Sequence, residues 1–326
     1  MRDEPSLRRD LVTGRWSVVA PGRIKTPRDV AHATTLVRDA SSCPFCPGHE
    51  AETEVEHARI TGPEGAWLVR SVGNRFPMMA EGVSGARSAV DAPAEGQHEV
   101  IIETPEHDTD LAALSDEHLA LVLMLYRDRF AALARRRGTR AVAMFKNRGP
   151  RSGASLRHPH GQLVALPRVP EGVSLRDRRA RRYAMIHGRP LIEQLRVEAL
   201  EARHRVVADT PEWTAFCPYA PARAHEIFLV PTRPCPRWDA LDADALWGLA
   251  QQLGDVLRRQ QRVTEGADYN LVFRGSALTQ ANEPFSRVWV EVITRRGGDA
   301  GFELSTGWSV AAVAPEESAR QLREAL

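Results

Sequence analysis

Several groups in the first half of this 326-residue chain have residue types and spacings suited to chemistry. Cys43 and Cys46 form a CxxC within SCPFCPG. Two thiolates from one tight turn hold a metal when other elements supply the remaining ligands. His107 in ETPEH and the histidines of RHPHGQ, His158 and His160, offer those ligands. Two cysteines with two imidazoles suit a tetrahedral Zn²⁺, and the Pro and Gly around the CxxC favour a metal knuckle over a redox helix. A plain loop histidine is the competing reading of His107. His158-Pro159-His160 reads as strand, where residues i and i+2 share a face. One imidazole then binds metal while its neighbour meets a substrate as a covalent nucleophile. Gln162 continues that face as a donor to a phosphoryl oxygen. Just upstream, FKNRGPRSGASL carries Asn147, Gly149, Gly153 and Ser155, with Lys146, Arg148 and Arg151 nearby. Backbone N–H groups of such a turn cradle anions. Joined directly to HPHGQ, it would set a bound phosphate beside the nucleophile.

The elements that must position these groups occur twice. HEVII (98–102) leads to an amphipathic pattern over 115–138 and then to AVAMFKNRG (141–149). HEIFL (225–229) leads to a similar pattern over 242–266 and then to DYNLVFRG (268–275). Ser115 and Asp242 stand where N-caps belong, and Gly138 and Gly266 where helices stop. Leu119, Val122, Leu123, Tyr126 and Phe130 recur at helical spacing. A further strand follows each unit, 158–166 and 287–295. The Pro- and Arg-rich stretch near 168–180 marks a boundary. The expectation is an α+β fold made of two duplicated domains, each an antiparallel sheet with a packed long helix. Residues 1–170 carry the chemistry. Residues 171–326 form a degenerate copy that serves as scaffold and substrate wall, with Arg287-Val288-Trp289 where HPH falls in the first copy.

Composition narrows the class. Charged residues make 26% and the hydrophobic set 43%, ordinary for a globular protein, and a formal charge of +2 demands neither nucleic acid nor a membrane. No apolar run reaches the ~20 residues of a membrane span. MRDEPSLRRD lacks the apolar core of a secretory signal, so a reducing cytoplasm is expected, where Cys217 and Cys235 stay free thiols. Lys25 and Lys146 are the only lysines, a bias expected to be one of coding.

Taken with RRDLVTGRWSVVAPGRIKTP (8–27), VGNRFPMM (72–79), GQHEVIIETPEH (96–107) and AGFELSTGW (300–308), this set resembles the galactose-1-phosphate uridylyltransferase branch of the histidine-triad superfamily, which includes ADP-glucose phosphorylase. The resemblance implies a double displacement. His160 attacks the α-phosphorus of a nucleoside diphosphate sugar, a nucleotidyl-histidine forms, and a phosphate acceptor takes the nucleotide. It implies that Gln162 hydrogen-bonds the transferred group, that Asn147, Gly153 and Ser155 hold phosphate, and that Arg23 and Asn74 contact the nucleotide. It also implies that Glu303 binds the sugar phosphate, that Cys43, Cys46, His107 and His158 hold one structural zinc ion, and that the protein is a homodimer.

The chain departs from that pattern in places. The branch's second metal site reads Pro190, Glu193, Pro234 and Arg287. Phe302 replaces a tyrosine beside Glu303, and Arg75 follows Asn74 where an acid is usual. The competing activities are phosphorolysis, with inorganic phosphate as acceptor, and hydrolysis. From another class, a non-catalytic nucleotide-binding protein competes, although binding alone requires no nucleophile.

Overall fold

The computed structural model describes residues 4–21, 39–83, 88 and 92–325. In chain order the strands and helices are β1 (Ser6–Arg9), β2 (Trp16–Val19), β3 (Glu56–Thr61), β4 (Trp67–Gly73), β5 (Gln97–Ile102), α1 (Asp116–Arg135), β6 (Ala141–Arg148), β7 (His160–Leu166), α2 (Glu171–His187), α3 (Leu191–Ala202), β8 (Val206–Asp209), β9 (Trp213–Phe216), β10 (Ile227–Pro231), α4 (Ala243–Thr264), β11 (Asp268–Arg274), β12 (Trp289–Arg295), α5 (Gly301–Thr306), β13 (Ser309–Ala311) and α6 (Pro315–Glu324).

The two sets of strands join into one ten-stranded antiparallel sheet, ordered β3-β4-β5-β7-β6-β11-β12-β10-β9-β8. Outward from the central β6–β11 pair, both arms run through the same succession of elements. The fold is therefore a duplicated α+β arrangement. At the seam Asn147 lies opposite Asn270, and Arg148 opposite Tyr269.

Both long helices form as their caps and periodicity predict. Ser115 accepts a hydrogen bond from the His118 N–H, and Asp242 accepts one from Ala245. Leu119, Val122, Leu123, Tyr126, Phe130 and Leu133 face inward on α1, and Leu246, Leu249, Leu253, Val256 and Leu257 on α4. They cover one face of the sheet over Ile101, Met144, Leu163, Leu229, Leu271 and Val290, in one continuous core. Full burial of each such side chain stabilises by roughly 1.5–3 kcal/mol. The opposite face is divided. Its C-terminal arm is covered by Leu191, Ile192 and Ala199 of α3, with Val12, over Phe216, Phe228, Val230 and Trp289. Its N-terminal arm carries a small cluster of Trp67, Val72, Val100 and Ile102, with Phe45 against it.

Three features differ from the sequence reading. The strand expected from His158 begins at His160, because Pro159 has no N–H to give a ladder and the His158 ring is held elsewhere. The Pro159 carbonyl accepts from the N–H of Glu103, the residue after β5, at 3.1 Å. The Pro- and Arg-rich stretch near 168–180 carries an element that the sequence reading does not assign, since most of it is helix. Pro170 stands at the N-cap of α2 with φ −59°, and the Arg, Ala and Leu that follow are good helix formers. Finally, β1 and β2 form a hairpin that pairs with β13, and Arg8 grips Glu316 at 2.8 and 3.3 Å. Residues 6–19 thus lie with 309–316.

Gly161 shows how tightly the sheet meets α1. A Cβ there would lie 1.4 Å from the Tyr126 hydroxyl oxygen. Gly161→Ala is expected to lower the unfolding free energy by about 1–3 kcal/mol, as overpacking does, read as an earlier urea midpoint at unchanged slope. An unchanged midpoint would show that this contact does not constrain the fold.

Candidate functional site

Asp39 starts a single 3-10 turn over Ala40–Ser42, and Cys43 follows in an extended conformation. The chain then folds tightly, with Cys46 N–H donating to the Cys43 carbonyl at 3.2 Å and His49 Nδ1 to the same carbonyl at 2.6 Å. This aims both sulfurs inward. His107, in the loop after β5, and His158, just before β7, complete the group. One ligand atom from each of Cys43, Cys46, His107 and His158 lies within 4.8 Å of the others. Cys46 Sγ is 3.2 Å from His107 Nδ1 and 3.6 Å from His158 Nδ1. Ligands ~2.0–2.3 Å from a shared tetrahedral ion stand at comparable separations.

Donor chemistry agrees with that fit. His158 Nε2 is 2.8 Å from the Thr104 carbonyl, which can only accept, so Nδ1 carries the lone pair and faces the sulfurs. Burial drives the Cys46 thiol up to about 11 and the His158 imidazole down to about 4. Neutral imidazole is the ligating form, and a cation between the sulfurs would draw the thiols to thiolate. These four residues can hold a metal ion.

The segment that binds His158 also sets His160. The His160 Nδ1–H donates to the His158 carbonyl at 2.9 Å. A carbonyl cannot donate, so the lone pair sits on Nε2. The ring is 6% exposed, and burial lowers its pKa to about 4, which keeps it neutral. Phe45, inside the CxxC, places its ring edge-on to both histidines, with centroids 6.0 Å from His158 and 5.5 Å from His160. Behind the strand, Lys146 Nζ donates to Glu103 Oε2 at 2.5 Å and to the His160 carbonyl at 3.3 Å, while the Tyr126 hydroxyl donates to Glu103 Oε1 at 2.9 Å. Sequence suggested that Lys146 serves the anion loop. In the structure its ammonium is committed to the back of the nucleophile's strand.

Two amides flank the imidazole. Gln162 is two residues on and shares its face, and its Oε1 lies 2.8 Å from His98 Nε2. Asn147 Oδ1 accepts from Asn270 Nδ2 at 2.8 Å across the seam. Asn270 Nδ2 also donates to the Ser152 carbonyl at 3.0 Å. The loop itself turns at Gly149 and Gly153, with φ of 83° and 91°. Asp268 accepts from the Arg151 N–H at 2.7 Å and sits where a Cβ on Gly149 would be. A cavity of about 320 Å³ opens here, lined by His160, Lys146, Asn147, Gly149, Arg157 and Asp268 among others.

The remaining candidates are placed as follows. Asn74 follows β4, with its amide nitrogen 3.1 Å from His98 Nε2. Gly153 gives its carbonyl to Asn147 Nδ2 at 3.5 Å. Ser155 is exposed on the loop and does not line the cavity. Glu303 accepts from Ala300 N–H at 3.1 Å, capping α5, and does not line the cavity. Arg23 lies outside the described residues. In the second arm Arg287 forms an ion pair with Glu193 at 3.2 Å. Sequence reasoning missed His98, Asp268 and Asn270. The shared His-Glu of the two repeats pointed to His98 but was read only as a mark of duplication.

Residues 1–170 match the family described as galactose-1-phosphate uridyl transferase, N-terminal domain. The ADP-glucose phosphorylase of Arabidopsis thaliana is 27% identical over 98% of this chain and 93% of its own length. The galactose-1-phosphate uridylyltransferase of Streptomyces lividans is 30% identical over 79% of this chain and 65% of its own. Among solved structures, an ADP-glucose phosphorylase from Arabidopsis thaliana with bound ADP-glucose superposes with a TM-score of 0.88 at 28% identity, covering 98% of each chain. A family match across half the chain, joined to likeness along nearly all of it, makes this protein a nucleotidyltransferase of the galactose-1-phosphate uridyl transferase family.

Proposed function

We propose that the protein moves a nucleoside monophosphate group from a nucleoside diphosphate sugar to a phosphate acceptor through a covalent intermediate on His160. The observation that carries this is the His160 Nδ1–H bond to the His158 carbonyl, which leaves an unprotonated Nε2 in a buried ring. The Nε2 lone pair attacks the α-phosphorus, and the bond from that phosphorus to the bridging oxygen breaks. Sugar 1-phosphate leaves with the electron pair. Nε2 has no proton to lose, and Nδ1–H stays on its carbonyl while positive charge spreads over the ring. Gln162, Asn147 and the Gly149–Gly153 loop supply donors to the phosphoryl oxygens, the preorganised stabilisation that phosphoryl transfer requires. The acceptor's phosphate oxygen then attacks the same phosphorus, and the imidazole leaves neutral.

The acceptor in this reading is a sugar 1-phosphate. Likeness to ADP-glucose phosphorylase along 98% of the chain favours inorganic phosphate as the second reading. Asn74 and Arg23 are assigned to the nucleotide, Gly153 and Ser155 to phosphate, and Glu303 to the sugar phosphate. Glu303 is not among the residues that line the cavity beside His160, and its role is assigned together with a homodimer, by resemblance to the family, in which a partner completes the site. Residues 1–170 are proposed as the catalytic unit and 171–326 as its support, in a cytoplasmic enzyme. No helix among the described residues is long and apolar enough to cross a membrane.

Zinc is proposed at one ion per chain, held by Cys43, Cys46, His107 and His158. When bound it supplies a structural tie between three segments. Cys43→Ser is expected to lower zinc content and thermal stability together, measured by elemental analysis and a melting curve. Full stability in protein purified without zinc would remove the assignment.

His160→Gly is expected to cut turnover by at least about 10⁴-fold, as loss of a nucleophile does, while zinc content and folding persist. Incubated with UDP-, ADP- or GDP-sugar alone, quenched and weighed intact, wild type should gain one nucleotidyl mass and the variant none. An adduct on the variant equal to that on wild type would overturn the nucleophile assignment.

A further inference from the structure

We propose that His98 is a positioning residue for this reaction, turning the Gln162 amide so that its NH2 group faces the phosphoryl group at His160. The inference rests on the nucleotidyl-transfer reading above. His98 lies on β5, opposite Val164 of β7, while Val100 lies opposite Gln162, so His98 and Gln162 share a sheet face. The His98 ring is buried, at 5% exposure.

Its tautomer follows from its neighbours. The Met78 backbone N–H donates to His98 Nδ1 at 3.1 Å. That places the lone pair on Nδ1 and the proton on Nε2. Burial lowers the pKa of His98, which keeps the ring in this neutral form. The Nε2 proton has one acceptor, Gln162 Oε1 at 2.8 Å. Asn74 Nδ2 is also 3.1 Å from Nε2, but it is itself a donor, because Asn74 Oδ1 accepts from Phe76 N–H at 2.8 Å.

An unconstrained amide can present either end. With oxygen toward a phosphoryl anion it would repel, and with nitrogen it stabilises. His98 takes the oxygen and leaves the donor end for the substrate. The segment 74–78 secures His98 in turn, since Asn74 N–H also donates to the His98 carbonyl at 2.9 Å. The second repeat gives a contrast. His225 Nε2 lies 2.7 Å from Gln321 Oε1, yet its buried Nδ1 has no hydrogen-bond partner among the described residues. The backbone donor that fixes the tautomer belongs to the arm carrying the nucleophile.

The test is a double-mutant cycle on adduct formation, with ADP-glucose and UDP-glucose as probes and intact mass after rapid quench as readout. His98→Ala should slow adduct formation about 10- to 100-fold with little change in the half-saturating nucleotide sugar, the mark of a lost orientation. His98→Gln, which offers an amide N–H at similar reach, should recover most of that loss. In a Gln162→Ala background, His98→Ala should cost less than about twofold, because the interaction it serves is gone. Equal losses in both backgrounds, or no recovery with His98→Gln, would overturn the proposal. A second measurement needs neither variant nor turnover. Long-range ¹⁵N–¹H spectra of histidine-labelled protein at neutral pH should show His98 as the neutral Nε2–H tautomer, and an Nδ1–H tautomer or an imidazolium would overturn it. If wild type forms no adduct with either sugar nucleotide, the transfer reading falls, and the spectrum still decides the relay.

Discussion

The hydrogen bond from His160 Nδ1 to the His158 carbonyl links the metal-binding group to the candidate nucleophile through three residues of backbone. His158 is itself fixed at both ring nitrogens, Nε2 to Thr104 and Nδ1 toward Cys46. Its carbonyl is therefore held in place, and the His160 ring can rotate only by giving up its one donor bond in a buried site. Pro159 stiffens the link and spares the strand a donor that would have no partner. A change in the knuckle reaches the chemistry by this route, with no contact between the cysteines and a substrate.

Duplication supplies the other half of the preorganisation. The first arm carries the imidazole, and β11 of the second arm reaches across the seam to shape the loop beside it. Asp268 takes the Arg151 N–H, and Asn270 takes both the Asn147 oxygen and the Ser152 carbonyl. The second copy is thus more than a wall. At its own equivalent of the nucleophile it has Trp289, which packs with Phe216 and Phe228 under α3. Covering that face with helices closed one site and left the other arm open to a ligand.

Much of this was legible in the sequence because local rules governed it. Ser115 and Asp242 cap the helices they were expected to cap, and the CxxC, His107 and His158 converge as their residue types suggest. The unread parts depend on pairings between distant segments. Nothing near Asn270 signals that sheet register sets it against Asn147. Nothing near Met78 signals that its N–H meets a ring on β5. Alternation alone runs the strand back to His158, but Pro159 has no N–H to give a ladder, so pairing starts at His160. Composition alone marks 168–180 as Pro- and Arg-rich and assigns it no element, whereas Pro170 starts the helix that follows it.

Lysine at position 146 has a physical explanation in a chain whose cations are otherwise almost all arginine. Two partly buried arginines show the geometry that suits a planar fork, Arg129 on Glu99 at 2.7 and 2.6 Å and Arg237 on Asp239 at 2.8 and 2.6 Å. Behind Gly161 the acceptors are different. One Glu103 oxygen and the His160 carbonyl are offered to the same nitrogen, in a space already shared with the Tyr126 hydroxyl. That geometry suits a compact ammonium with rotatable donors and leaves no plane for a guanidinium. Lys146 is 2% exposed, so its charge needs the Glu103 carboxylate, and the pair together grips the backbone of the residue that carries the nucleophile. The same constraint accounts for Gly161, whose missing side chain gives the tyrosine hydroxyl room to reach Glu103. Lysine, glutamate, tyrosine and glycine thus form one arrangement, and its effect is to fix the strand at His160 from behind.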